Sequence, residues 1–128
     1  MKDFLVYHNP DVMGIDVTKM SPLSIVTNKP VTDDVKGNRV WLLTASGRPR
    51  TFLLRSCFIV DQVENHVDGF HTKLSGATGK VFDPMIELND EKWFGDLKKS
   101  QGNFAFGLQR IQDERFVSGL EQLAKSRE

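Results

Sequence analysis

The chain has one cysteine and no net charge in 128 residues, and each scarcity removes a class of protein. A single thiol, Cys57, makes an intrachain disulfide impossible. Its setting in the apolar run Ser56-Cys57-Phe58-Ile59 reads as a buried, inert side chain rather than a nucleophile. Basic and acidic residues balance at 17 each, which lacks the electrostatic footprint of a strongly basic, nonspecific DNA binder yet leaves room for a local basic face. No apolar window reaches the ~18 residues that span a bilayer. The N-terminus Met1-Lys2-Asp3-Phe4 opens no secretory leader, so the expected location is cytoplasmic.

Chemical motifs are scarce too. His8, His66, His71 and Cys57 lack metal-ligand spacing; His66 and His71 stand in a stretch that reads as loop, where no helical face aligns them. The segment Gly76-Ala77-Thr78-Gly79-Lys80 departs from a phosphate loop, because Leu74 occupies the first glycine position and Val81 follows the lysine. There is no Gly-x-Ser-x-Gly elbow, and the carboxylates are dispersed over expected helix surfaces. The expectation is a binding protein, not an enzyme, with no metal and no cofactor. The length suits one domain, residues 1–128, with a core of its own.

What is present is a central hairpin. Val40-Trp41-Leu42-Leu43 is followed by the turn Ser46-Gly47-Arg48-Pro49 and then by a long β-prone run from Thr51 to Val63. Its imperfect alternation predicts strands buried in places on both faces. Asp3 to His8 predicts a first strand that stops at Asn9-Pro10. Asp11 to Pro22 carries mixed signals, with Asp11 as a possible helix cap opposed by Gly14, Ile15 and Val17. Ser24 to Thr27 reads as a short extended piece closed by Asn28-Lys29-Pro30, and Thr32 to Gly37 as a polar turn. Residues 64–84, with Gly69, Gly76, Gly79 and Pro84, read as a loop-rich excursion holding one or two short strands. Asn89-Asp90 predicts the cap of a helix through Lys99. Asn103 to Ile111 predicts a strand with Phe104, Phe106 and Leu108 on one face and Ala105, Gly107 and Gln109 on the other. Asp113 predicts the cap of a final helix with Phe116, Val117, Leu120, Leu123 and Ala124 as its apolar stripe.

Aromatic and hydrogen-bonding residues gather near the expected strand ends: Tyr7, His8 and Asn9; Thr27 and Asn28; Trp41; Trp93; Phe104. Trp41, Trp93 and Phe104 are also ordinary core residues. Alternatively, aromatics beside Asn, Thr and His form the kind of site that stacks on and reads an unstacked base. Arg48 and Arg50 at the hairpin tip, with Lys29, suit phosphate contacts, or form a solvated loop.

In order along the chain, these segments resemble the PUA-like superfamily, and its EVE branch in particular, a group related to ASCH and YTH domains. The likeness is carried by Phe4-Leu5-Val6-Tyr7-His8-Asn9-Pro10-Asp11, by Ser24 to Lys29, by Val35-Lys36-Gly37-Asn38-Arg39-Val40-Trp41-Leu42-Leu43, and by Asn103 to Ile111 with the helix after Asp113. Tyr7-His8-Asn9 stand where the family has Lys-Ser-Glu, and its Arg-Asn-Tyr-Gln segment is not kept. The resemblance implies an α+β fold, a small curved, mostly antiparallel β-barrel flanked by helices. It also implies a pocket near the end of the first strand that receives a flipped, modified base, such as methylated cytosine or adenine in DNA or RNA. Tyr7, Trp41 or Trp93 would stack; Asn9, Thr27 and Asn28 would bond the base edge; Arg48, Arg50 and Lys29 would hold phosphates. Some relatives are fused to nucleases and serve as the specificity module of modification-dependent restriction. The competing expectations are a small-molecule or nucleoside binder and a protein-interaction accessory domain without a nucleic-acid partner.

Overall fold

The structure is a computed structural model that describes residues 1–29, 31, 33–67, 69–104 and 107–126. Pro30 and Thr32, expected at a strand stop and a turn, and Ala105 and Phe106, expected in a strand, lie outside the described residues. The chain is a small α+β domain whose strands are mostly antiparallel and lie in two sheets. Five strands form the larger sheet: β1 (Asp3–Tyr7), β3 (Arg39–Ser46), β4 (Thr51–Ile59), β7 (Gly79–Glu87) and β8 (Gln109–Arg110), in the order β7-β4-β3-β1-β8. The smaller sheet runs β2-β6-β5, from β2 (Ser24–Thr27), β5 (Gln62–Val67) and β6 (Phe70–Ser75). Among the described residues the two sheets stay open and close no barrel.

The hairpin is confirmed: Val40 pairs with Phe58 and Ser46 with Thr51, antiparallel, around the turn at residues 47–50. β1 lies parallel to β3, Leu5 against Trp41, and the crossover between them carries β2 into the other sheet. Both faces of this sheet are covered, which is why its central strands read as apolar runs instead of alternating. Phe4, Val6, Val40, Leu42 and Phe58 pack with Ile25 and Leu74 of the smaller sheet. Leu5, Trp41, Leu43 and Leu54 face the other way, onto the helices α2 (Phe94–Ser100) and α3 (Glu114–Lys125).

The structure corrects four expectations. Residues 64–84 are mostly strand rather than loop. Apolar periodicity vanishes there because β5 is the exposed outer strand of its sheet. Pro84 sits within β7, an edge strand where a missing ladder donor is tolerated. The long run to Val63 is two strands, broken at Val60-Asp61. The helix after Asn89 begins only at Phe94, because Asn89 is spent on β4: its Oδ1 accepts from the Phe52 N–H at 2.8 Å and its Nδ2 donates to the Arg50 carbonyl at 3.0 Å. The strand expected over 103–111 shrinks to Gln109–Arg110, since Gly102, Asn103 and Phe104 take left-handed backbone with φ of 58°, 55° and 64°. The final helix is capped by Asp113 as expected, its side chain accepting from the Arg115 N–H at 2.9 Å.

Gly76 and Gly79, the pair that superficially resembles a phosphate loop, serve packing. They bring the β6–β7 turn onto β4 so closely that a Cβ at either would collide with the Ile59 or Cys57 carbonyl.

Candidate functional site

A cleft of about 380 Å³ opens where β1 ends, between the segment after Asn9, the end of β2 and the turn at Asn103–Phe104. Of the residues expected at a base pocket, Tyr7, His8, Asn9, Thr27, Asn28 and Phe104 line it, and so do Arg50 and Lys29. Trp41, Trp93 and Arg48 do not.

Trp41 is 1 % exposed and faces the helix side of the sheet, away from the cleft. Its Nε1–H donates to Asp3 Oδ1 at 2.9 Å, and the Arg39 guanidinium stacks 4.8 Å above its ring. Its nearest opening is a separate depression beside Cys57 and Lys80. Trp93 is a brace between α2 and α3, lying so close over Gly119 that a Cβ there would fall against the indole. Arg48 is exposed and holds Asp11 at 2.7 Å.

The local structure around the cleft follows from side chains that bind backbone. Asn9 caps the four-residue helix α1 (Pro10–Met13), accepting from the Asp11 N–H at 3.0 Å, and Gly14 closes it in the left-handed region. Asn9, not Asp11, is therefore the cap. Asp11 turns instead to the hairpin tip, where its Oδ2 lies 2.7 Å from Arg48 and 2.9 Å from Arg50. These contacts, the hydrogen bond from Arg48 foremost, hold the Asp11 carboxyl below its ordinary pKa. Arg50 also donates to the Tyr7 hydroxyl at 2.6 Å. Burial raises the Tyr7 pKa, with Arg50 acting in the opposite direction.

His8 is buried and structural: Nε2–H donates to the Ile15 carbonyl at 2.7 Å, while its backbone binds Leu43 and the Thr44 hydroxyl. Thr27 is buried, with Oγ1 accepting from the Lys29 N–H at 3.1 Å. Asn28 Oδ1 accepts from the His71 N–H at 3.2 Å. The carbonyl oxygens of Asn9 and Asn28 are thus engaged, which leaves their amide N–H groups as the donors available to a ligand.

One wall is aromatic. Tyr7 and Phe104 lie 5.5 Å apart, and both contact Phe52, at 5.6 and 5.7 Å, which continues to Phe94 at 5.4 Å. Phe104 reaches this cluster only because residues 102–104 curl left-handed, a conformation that strains a side chain with a Cβ. Gly107, with φ of 77°, lets the Lys29 stem approach closely. Much of the remaining lining is apolar, Val12, Met13 and Met20 among it, with the polar Ser24 and Asn103, and was missed by sequence reasoning. Val12 is 78 % exposed on a short capped helix that has no buried residue, so nothing in the local sequence marks it as part of a cleft.

Among the described residues no three His, Cys, Asp or Glu side chains converge as metal ligands, and no helix is long and apolar enough to cross a membrane. Fold and cleft define an α+β domain with one aromatic-walled, amide-rimmed cleft flanked by cations. Comparison with protein-family models, curated proteins and solved structures finds no match.

Proposed function

We propose that this chain is a nucleic-acid reader that takes a flipped base into the cleft at the end of β1 and carries out no chemistry on it. The observation that carries the reading is one cavity combining an aromatic wall, Tyr7 and Phe104, with the amides of Asn9 and Asn28 and the cations Arg50 and Lys29. A volume of about 380 Å³ falls at the small end of ligand pockets, which suits a base or nucleoside better than a larger molecule. With amide N–H groups as the available donors, the edge being read is rich in acceptors, as are the carbonyl edges of pyrimidines and of guanine. The apolar side of the cleft, Val12, Met13 and Met20, gives a methyl group on the base somewhere to go. In this reading the two sheets are halves of the curved PUA-like barrel, and the reader supplies specificity to a nuclease acting on modified DNA.

The test is a binding panel of short single- and double-stranded DNA and RNA, with and without methylated cytosine or adenine, repeated with Phe104→Ala. Losing one stacking aromatic costs about 1–3 kcal/mol, so binding should weaken by roughly five- to 150-fold. Equal or absent binding across the panel, in a folded protein, would sink the proposal.

One observation favours a second reading, a free nucleoside or similar small molecule. Arg48 and Arg50 both already hold Asp11, so the hairpin tip is partly neutralised before any phosphate arrives. A nucleoside binding as tightly as the matching oligonucleotide would select this reading.

A further inference from the structure

We propose that His66 and His71, facing each other across the β5–β6 hairpin, bind a late first-row divalent metal ion such as Cu²⁺ or Zn²⁺. The site is independent of the base-reading proposal. Asn65 pairs with Thr72 and Val67 with Phe70, so positions 66 and 71 stand directly opposite one another. Directly opposed side chains in an antiparallel pair start from Cβ atoms about 4.5–5.5 Å apart. The two exposed rings are 5.7 Å apart between centroids and inclined at 63°. Two imidazoles sharing one ion, each bound at about 2.0–2.1 Å, bring their ring centres to roughly 5–6 Å, so the pair is already near chelating distance.

His71 Nδ1 lies 2.6 Å from the Thr72 hydroxyl, a hydrogen bond that orients the ring as neighbours of metal-binding histidines usually do. His66 has φ of 57°, a backbone in which Gly or Asn would sit more easily than a histidine.

The donor set selects the ion. Imidazole suits Cu²⁺, Ni²⁺ and Zn²⁺, whereas Mg²⁺ and Ca²⁺ need oxygen ligands. Among the described residues no third His, Cys, Asp or Glu completes the site. Asn28 binds the His71 backbone and also lines the cleft, which sets the ion beside the cleft rim.

The experiment is a calorimetric titration of the untagged chain with Cu²⁺ and Zn²⁺, with Mg²⁺ as control, alongside NMR of the histidine ring protons. One ion should bind, Cu²⁺ more tightly than Zn²⁺, and substoichiometric Cu²⁺ should broaden His66 and His71 before His8. His66→Asn, chosen because Asn tolerates the left-handed backbone, and His71→Ala should each weaken binding by at least about tenfold, since loss of an outer-shell partner alone costs that much. Both positions are exposed, and an unchanged thermal melt shows that the variants are folded. No binding by the wild type, or binding that survives either substitution, overturns the proposal. So does binding lost in Cys57→Ser but kept in the histidine variants.

Discussion

Gly119→Ala separates two opposing effects within one methyl group. Gly119 lies inside α3, where alanine is favoured by about 1 kcal/mol on helix propensity alone. A surface helix position would therefore be stabilised. Here the added Cβ would sit against the Trp93 indole, 2.5 Å from Nε1 and 2.9 Å from Cζ2, where carbon contacts want about 3.5–4.0 Å. Either α2 and α3 separate or the indole swings out and loses its cover. Overpacking of this kind costs about 1–3 kcal/mol, and with several ring atoms too close the upper half of that range applies. The net effect is a destabilisation of about 1–2 kcal/mol, or roughly 3–8 °C in Tm for a domain of this size. Urea unfolding should show a lower midpoint at unchanged slope. In a Trp93→Leu background the obstacle is gone, and the same Gly119→Ala change should become stabilising by about 0.5–1 kcal/mol. The reasoning fails if Gly119→Ala stabilises the wild type, or if it costs the same in both backgrounds. The sign reversal would also show that Trp93 braces the two helices.

Three further outcomes follow from the geometry. Asp3 Oδ1 accepts from both Arg39 Nε at 2.6 Å and Trp41 Nε1 at 2.9 Å. Asp3→Ala strands both donors and should cost about 2–4 kcal/mol in thermal or urea unfolding, with Asp3→Asn, which keeps an acceptor, costing less. Equal stability of the alanine variant would show that the pair contributes little. The carboxyls of Asp11, Asp16 and Asp113 are held below their ordinary pKa, chiefly by the Arg48 hydrogen bond, the Thr18 N–H and the Arg115 hydrogen bond respectively. Because the unfolded chain takes up these protons first, their stabilisation is complete above about pH 5 and is lost as pH falls below about 4. A Tm that stays level from pH 5 to pH 3 contradicts this. Cys57 is 7 % exposed and burial pushes its thiol pKa up, so a thiol reagent should label it only as the fold opens, faster with added urea. Rapid stoichiometric labelling of the native protein would refute that placement.

The core strands were legible because their signal is local. β1, β3 and β4 carry continuous apolar residues, and a turn with Gly47 and Pro49 separates the hairpin arms. Asp113 and the stripe through Phe116 and Leu120 likewise announced α3. β5 was not legible, since an exposed outer strand needs no apolar alternation. Nor was the turn at Asn103–Phe104, where a strand-like pattern of alternating aromatics is overridden by left-handed backbone. Gly119 did give a signal that was passed over: a glycine within an apolar helical stripe marks a close approach by something large.

The candidate site divides in the same way. Tyr7, His8 and Asn9, and Thr27 and Asn28, stand near the ends of expected strands, and the resemblance pointed to a pocket at the end of the first one; the structure brings them and Lys29 to one cleft. The sequence by itself determined the apolar strands, the turns between them, the cap at Asp113, and the absence of familiar catalytic and metal motifs, all of which depend on residues within a few positions of one another. Only the tertiary structure decided which aromatic faces the cleft. Trp41 turns inward because Asp3, which accepts from its indole N–H, lies on β1, the strand that the sheet sets beside β3. Trp93 is taken by Gly119, 26 positions further on. Phe104 reaches the cleft beside Tyr7, and Arg50 joins them through the Tyr7 hydroxyl across more than forty residues. Side-chain direction at such positions is set by what packs against it from a distance, and that information does not exist until the sheets have formed.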